Sequence, residues 1–491
     1  MSKNIIDLDY PDPDVIRVGD TYYMVSTTMY FFPGCEILRS YDLLHWEHAG
    51  FVYDNLDNTP GQCLDDKKGI YGQGMWAATL RFHEGRFYII FVCNDTHKTY
   101  LFTCENIYGP WQKSEIEGFY HDCSLLFDED RVFLVYGNRE IHLTELSPDL
   151  HGPKRGGIDK VIVKDSDKTP LAYEGSHFYK INGHYYIFLI HSLEDRWMRA
   201  EACFMADKVD GEYKGCDILA NDLGYCGSGV AQGGIVDDPY GNFYAILFQD
   251  MGAVGRVPYL LKLEWKDDFP MIVTDPCPPQ TIDLRPGYVY TPLVGSDDFG
   301  FADGPVWGLK PAWQFNHVPK PELFGIDDAN HSFTVTTDRL CDDILTAVNT
   351  LTMRLKFPAC HCAVTLDASA LNVGDVAGLA VMQGAYAFVG VTRREDGLHM
   401  FMRERIPKEN SVTSYTYEIT EHDDVLIDSS VVRLSFDADF AHMKDEVRFN
   451  IGPTHKMYFK LDHFTGNRAA LFMYSKEVTG GSASFSDFVL E

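Results

Sequence analysis

The chain has 491 residues, enough for two or three domains with full cores, and its 45% apolar content excludes general disorder. Asp and Glu number 72 against 42 Lys and Arg, a net charge of −30 spread along the chain. Such a surface repels phosphate backbones and anionic membranes, so neither a nucleic acid nor a membrane is expected as a partner, whereas a neutral sugar meets no such penalty.

In chain order, the opening Met1-Ser2-Lys3-Asn4-Ile5-Ile6-Asp7 carries no apolar core of signal-peptide length, and no later stretch approaches the roughly 20 apolar residues of a membrane span. As it stands the chain reads as cytoplasmic, or as periplasmic or secreted if a leader has been removed. The twelve cysteines follow no paired spacing, and some, such as Cys93 and Cys203, sit in apolar runs, as free thiols do in a reducing compartment.

One pattern then recurs five times, a tight Gly/Asn/Asp turn followed by an aromatic or β-branched run. It occurs at Gly19-Asp20 before Tyr22, Glu84-Gly85 before Phe87, Asp128-Glu129-Asp130 before Val132, Asn182-Gly183 before Tyr185, and Tyr240-Gly241-Asn242 before Phe243. Each reads as a β-hairpin. The second strands begin 65, 45, 53 and 58 residues apart, about the length of a four-stranded blade, and no sustained helical period appears before residue 300. The pattern predicts an all-β protein whose residues 1–295 form a five-bladed β-propeller.

Residues 296–312, rich in Asp, Gly and Pro, read as a linker, and 313–491 as a β-sandwich. In the latter, Leu351, Met353, Leu355 and Phe357 interleave with Thr350, Thr352, Arg354 and Lys356, and Val432, Leu434, Phe436 and Ala438 with Arg433, Ser435 and Asp437, which predicts strands with one buried and one wet face. The acidic run around Glu421, Asp423, Asp424 and Asp428 reads as a solvated loop. Cys360-His361-Cys362 has no second ligand pair nearby and reads as structural rather than as a zinc site, so no metal ligands are assigned.

Counting back ten or eleven residues from each hairpin's second strand gives Asp12, Trp76, Asp122, Glu174 and Gln232. Equivalent positions of successive blades face one axis, so these five side chains converge at one mouth of the central cavity. Three are carboxylic acids. Acids on either side of a sugar ring can protonate the leaving oxygen and activate a nucleophile, and crowding them raises at least one pKa toward neutrality.

Several runs together resemble glycoside hydrolase family 43. They are Tyr10-Pro11-Asp12-Pro13-Asp14, Phe32-Pro33-Gly34, Ser40-Tyr41-Asp42-Leu43-Leu44-His45-Trp46, Met75-Trp76-Ala77, His121-Asp122-Cys123-Ser124-Leu125-Leu126-Phe127, Tyr173-Glu174-Gly175-Ser176-His177-Phe178 and, near the C-terminus, Gly480-Gly481-Ser482-Ala483-Ser484-Phe485. The resemblance implies a second domain of the concanavalin-like jelly-roll kind. It makes Asp12 the general base, Asp122 the modulator of pKa and orientation, and Glu174 the general acid. It further implies that Trp76 and Phe32 wall the sugar pocket and that Arg256 binds substrate; Gln232, placed at the same mouth by the blade spacing, is expected to bind substrate with them. Where many members carry a central-channel histidine near a bound calcium, this chain has Ala231-Gln232-Gly233-Gly234, so no cofactor is required, and a structural calcium, which would lack its customary ligand, stays open.

The activity implied is inverting, exo-acting release of xylose from β-1,4-xylo-oligosaccharides or of arabinofuranose from arabinoxylan. The partner is then a plant-derived oligosaccharide or polysaccharide, and the chain is compatible with a homo-oligomer. Two alternatives stay open on sequence. A lectin-like protein would have no need of three convergent acids, and an endo-arabinanase would need an open groove.

Overall fold

The computed structural model describes residues 4–166, 168–275, 278–300, 306–409 and 411–491. Five four-stranded antiparallel blades follow one another along the chain. The first comprises Asp14–Val18, Thr21–Ser26, Gly34–Ser40 and Glu47–Tyr53. The innermost strands of the next three are Met75–His83, Ser124–Asp128 and Glu174–Ile181. In the fifth the inner strand is split into Val230–Ala231 and Ile235–Asp237, with Gln232-Gly233-Gly234 between. A side chain on Gly233 would meet the Ile246 carbonyl at 1.8 Å, so the interruption lets backbone approach where no Cβ fits.

The blades pack face to face, and each junction has its own apolar layer. Val25, Phe91 and Phe102 fill the first, Ile90, Leu125 and Leu134 the second, Phe133, Phe178 and Ile187 the third. The fifth blade meets the fourth through Phe188, Leu247 and Tyr259 and the first through Tyr10, Val15 and Ile246. Among the described residues no strand is shared between the first and fifth blades to close the ring. Instead Gly234 N donates to Pro13 O at 2.9 Å and Tyr10 N to Arg256 O at 2.9 Å.

The second unit is a sandwich of two seven-stranded sheets. One runs Gln314–Phe315, Leu351–Arg354, Arg468–Ser475, Asp375–Met382, Tyr386–Arg394, Gly397–Pro407 and Tyr417–Ile427. The other runs Phe324–Asp327, Ser332–Thr336, Ser482–Leu490, Ala359–Asp367, Val431–Asp439, Glu446–Phe449 and His455–Lys456. Of the expected linker at 296–312, residues 301–305 lie outside the described residues, while Asp297 already pairs with Phe488 of the sandwich.

Two readings of the sandwich need correction. Val431–Asp439 alternates as expected, but Leu351–Arg354 is buried on both faces, because its polar side lies against the propeller. There Arg354 pairs with Glu36 of the first blade at 2.7 Å and donates to Asp9 O at 2.8 Å. The acidic run is not a loop but the edge strand Tyr417–Ile427, where Glu421 pairs with Arg403 and Asp424 with His399 and Arg394. Charges along an exposed edge discourage pairing with another sheet.

Candidate active site

All five blade-equivalent residues lie at or within two residues of the start of an inner strand, or in the gap that splits one. Asp12, Asp122 and Gln232 share a left-handed backbone, with φ of 53°, 48° and 59°; in the fourth blade Gly175 takes it instead, at 64°. A non-glycine residue held there costs on the order of 1–3 kcal/mol, which the surrounding strands must offset. The kink interrupts the pleat as the inner strand begins and turns each side chain toward the mouth of the ring.

The acids meet there. Asp12 Oδ1 accepts from Arg256 Nη1 at 2.9 Å and Oδ2 from Thr27 Oγ1 at 2.6 Å. Asp122 Oδ2 accepts from Gly175 N at 3.2 Å, which ties its carboxylate to the residue after Glu174. His121, Asp122 and Glu174 bring one nitrogen and two oxygens within 4.8 Å of one another. His121 Nε2 stands 3.7 Å from Asp122 and 3.5 Å from Glu174.

Burial pushes the Asp122 carboxyl up to about 7; the nearby Glu174 and Asp12 charges add to this and His121 opposes it. His121 is driven up to about 9, first by Asp122, then, against burial, by Glu174 and Asp12. The surrounding carboxyls therefore favour the protonated imidazole. Glu174 is the most open of the three acids, its side chain 19% exposed against 8% for Asp12 and 7% for Asp122, and so the one best able to reach a leaving group.

Trp76 packs at 5.9 Å from the His121 ring and 5.4 Å from Phe464. The buried Arg256 stacks over Phe464 at 4.5 Å and Phe248 at 5.3 Å. Gln232 lies against Gly175, whose missing Cβ would sit 2.7 Å from its carboxamide carbon, and its backbone N–H donates to the buried Glu201 at 2.7 Å. Phe32 is placed differently. It is 2% exposed within the apolar layer of the first two blades, its ring 6.0 Å from Tyr53 and its backbone paired with Phe315 of the sandwich.

Sequence reasoning missed several neighbours. Arg199, paired with Asp250 at 2.6 Å, also lies over the Phe248 ring, at 5.3 Å. Phe464 comes from an irregular loop of the sandwich and has no sequence signal. Asn138, which donates to Glu174 Oε2, follows the second strand of the third blade by two residues, and His121 stands in the motif that gave Asp122. Beside them a cleft of about 480 Å³, lined by His121, Tyr136, Asn138, Arg139 and His142, opens outward.

Deeper in the channel, Arg81 reaches Asp14 at 2.7 Å, Leu125 O at 2.8 Å and Ser124 Oγ at 2.7 Å, and stacks on Tyr179 at 5.1 Å. Burial alone would raise Asp14, but Arg81 and His177 hold it down at about 2. A guanidinium thus joins the inner strands of the first three blades across the channel.

Residues 1–270 match the family model described as glycosyl hydrolases family 43, and 302–491 the beta xylosidase C-terminal concanavalin A-like domain. A beta-xylosidase of Formosa agariphila is 26% identical over 97% of this chain and 88% of its own length. A non-reducing end alpha-L-arabinofuranosidase of Bacteroides ovatus is 33% identical over 36% of this chain and 33% of its own. The solved structure of a bifunctional GH43-CE protein of Bacteroides eggerthii superposes with a TM-score of 0.89 at 36% identity, covering all of this chain, which spans 64% of that protein's length.

Proposed function

The chain belongs to glycosyl hydrolases family 43, and from that premise we propose that it removes single terminal pentoses, xylose or arabinofuranose, by inversion. The observation that carries this reading is the meeting of three acids from three blades under a wall supplied by the second domain. Phe464, from the second domain, touches both Trp76 and Arg256 beside the acids, and a wall from that domain favours an end-on pocket over the open groove that internal cleavage needs.

Asp12, fixed by Arg256 and Thr27, takes a proton from water as the water oxygen attacks the anomeric carbon. Glu174 gives its proton to the glycosidic oxygen as the bond from that oxygen to the sugar breaks. One water is consumed, two hydroxyls are formed, and each acid returns to its starting state through solvent. Asp122 orients Glu174 and, once ionised, disfavours loss of its proton. No step calls for a metal.

Proton NMR of the sugar first released from xylobiose and from arabinoxylan tests the reading. The inverted anomer is expected, and retention, or no release from either substrate, would overturn it. Glu174→Ala should lose about 10²- to 10⁴-fold on natural glycosides and little on activated aryl glycosides, while Asp12→Ala should cripple both.

A further inference from the structure

Glu174 has two carboxyl oxygens, and the site treats them differently. Both outside contacts fall on Oε2, where the Asn138 carboxamide donates and the His121 imidazolium stands at 3.5 Å. We propose that Asn138 and His121 are positioning residues that reserve Oε2 as an acceptor, so that Oε1 carries the proton delivered to the leaving group. This inference rests on the reading of Glu174 as general acid.

A carboxylic acid holds one proton, and an oxygen already facing two donors is the poorer place for it. Among the described residues no hydrogen bond falls on Oε1, and that oxygen keeps the proton; Arg199, whose charge also faces Glu174, is engaged by Asp250 at 2.6 Å. The backbone holds the arrangement in register. Gly137 N donates to His121 O at 2.9 Å, joining the Asn138 turn to the His121 segment. Arg139 N donates to Tyr173 O at 2.8 Å, and Ser176 N to Asp122 O at 3.2 Å, bracketing Glu174 on both sides from the third blade. Gly137 allows this turn with a φ of 125°, and a Cβ there would meet Glu140 O at 2.3 Å.

The two residues differ in charge. Asn138 is neutral, whereas His121 carries a positive charge that favours the ionised form of Glu174, opposite in sign to Asp122. Other charges facing His121 are those of Asp122 on its own segment and Asp12 from the first blade, while the second blade brings the Trp76 ring against it. Across the cleft, Glu140 pairs with Lys164 at 2.6 Å, Arg139 is engaged by the carbonyls of Ser166 and Thr169, and His142 stacks on Tyr136.

The test uses the full chain and a series of aryl β-xylosides of graded leaving-group acidity, with xylobiose as the natural end of the series. Asn138→Ala, at an exposed position, should lose about 10- to 100-fold on xylobiose and less than about 3-fold on the dinitrophenyl glycoside, steepening the dependence on leaving group and moving the alkaline limb to higher pH by less than His121→Gln does. His121→Gln should steepen it likewise and move the alkaline limb to higher pH. Equal losses across the series, an unchanged slope, or an unmoved limb in His121→Gln would overturn the assignment; melting curves check that both variants fold. Glu174→Ala is measured beside them. If it is selective for poor leaving groups and the two variants are not, the positioning roles alone fail; if it shows no selectivity, the reading of the acid fails as well.

Discussion

At the scale of single residues, the electrostatics centre on one buried carboxyl. Asp122 stays largely protonated up to about pH 7, and above that its charge opposes ionisation of Glu174. Asp122→Asn should therefore shift the alkaline limb of the pH–rate profile to lower pH, opposite to His121→Gln, and an unmoved limb would leave Asp122 a hydrogen-bonding role only. The sign for stability follows from the same shift. A carboxyl raised in the folded state relative to its unfolded value near 4 favours folding below that value and loses this contribution as pH rises through about 7. The Asn variant should thus gain melting temperature over the parent at pH 8–9, by roughly 2 °C, and not at pH 4–5, as followed by circular dichroism. The acids themselves were legible in the sequence because hairpin spacing repeats from blade to blade. Asn138 was not, since a turn asparagine is indistinguishable from the many that only shape turns.

At the scale of elements, the inner strands act through how they begin. The fourth differs from the first and third in handing the left-handed conformation to Gly175, so that Glu174 itself opens the strand. Gly175→Ala would place a methyl group 2.7 Å from the Gln232 side chain and strain the backbone next to Glu174. A fall in kcat of about 10- to 100-fold with an unchanged circular dichroism spectrum is the expected outcome, and unchanged turnover would count against a tightly set acid. The hairpins were readable because turn residues and aromatic runs are local signals. The strand at Leu351–Arg354 misled because period-two alternation reports polarity, not exposure. Its polar face is buried against another set of strands, which only tertiary structure supplies.

At the scale of the whole molecule, the two units share one polar interface. Arg354 and Glu36 form a buried ion pair at 2.7 Å, and Arg468 stacks over Phe31 at 3.4 Å. His463 bonds the Tyr30 hydroxyl at 3.0 Å. Arg354→Ala would leave Glu36 buried without its main partner and should cost about 3–5 kcal/mol in denaturant unfolding. Loss of both units in a single transition would follow if this interface couples them, whereas two separated transitions would mean that each stands alone. Composition and spacing revealed that two β units exist; their contact surface, and with it Phe464, escaped because it pairs residues hundreds of positions apart. Asp9 shows what that distance entails. Its carboxylate accepts from Arg256 N at 2.7 Å and Gly466 N at 2.8 Å, so the first blade, the last blade and the sandwich meet at one side chain near the N-terminus. A ribosome adding about 5–20 residues each second needs tens of seconds to pass from one of these partners to the last. Until the fifth blade is made the emerging ring has an open seam of strand edges and apolar faces, and even a closed ring then waits nearly 200 residues more for Gly466 to complete the bonds of its N-terminal carboxylate.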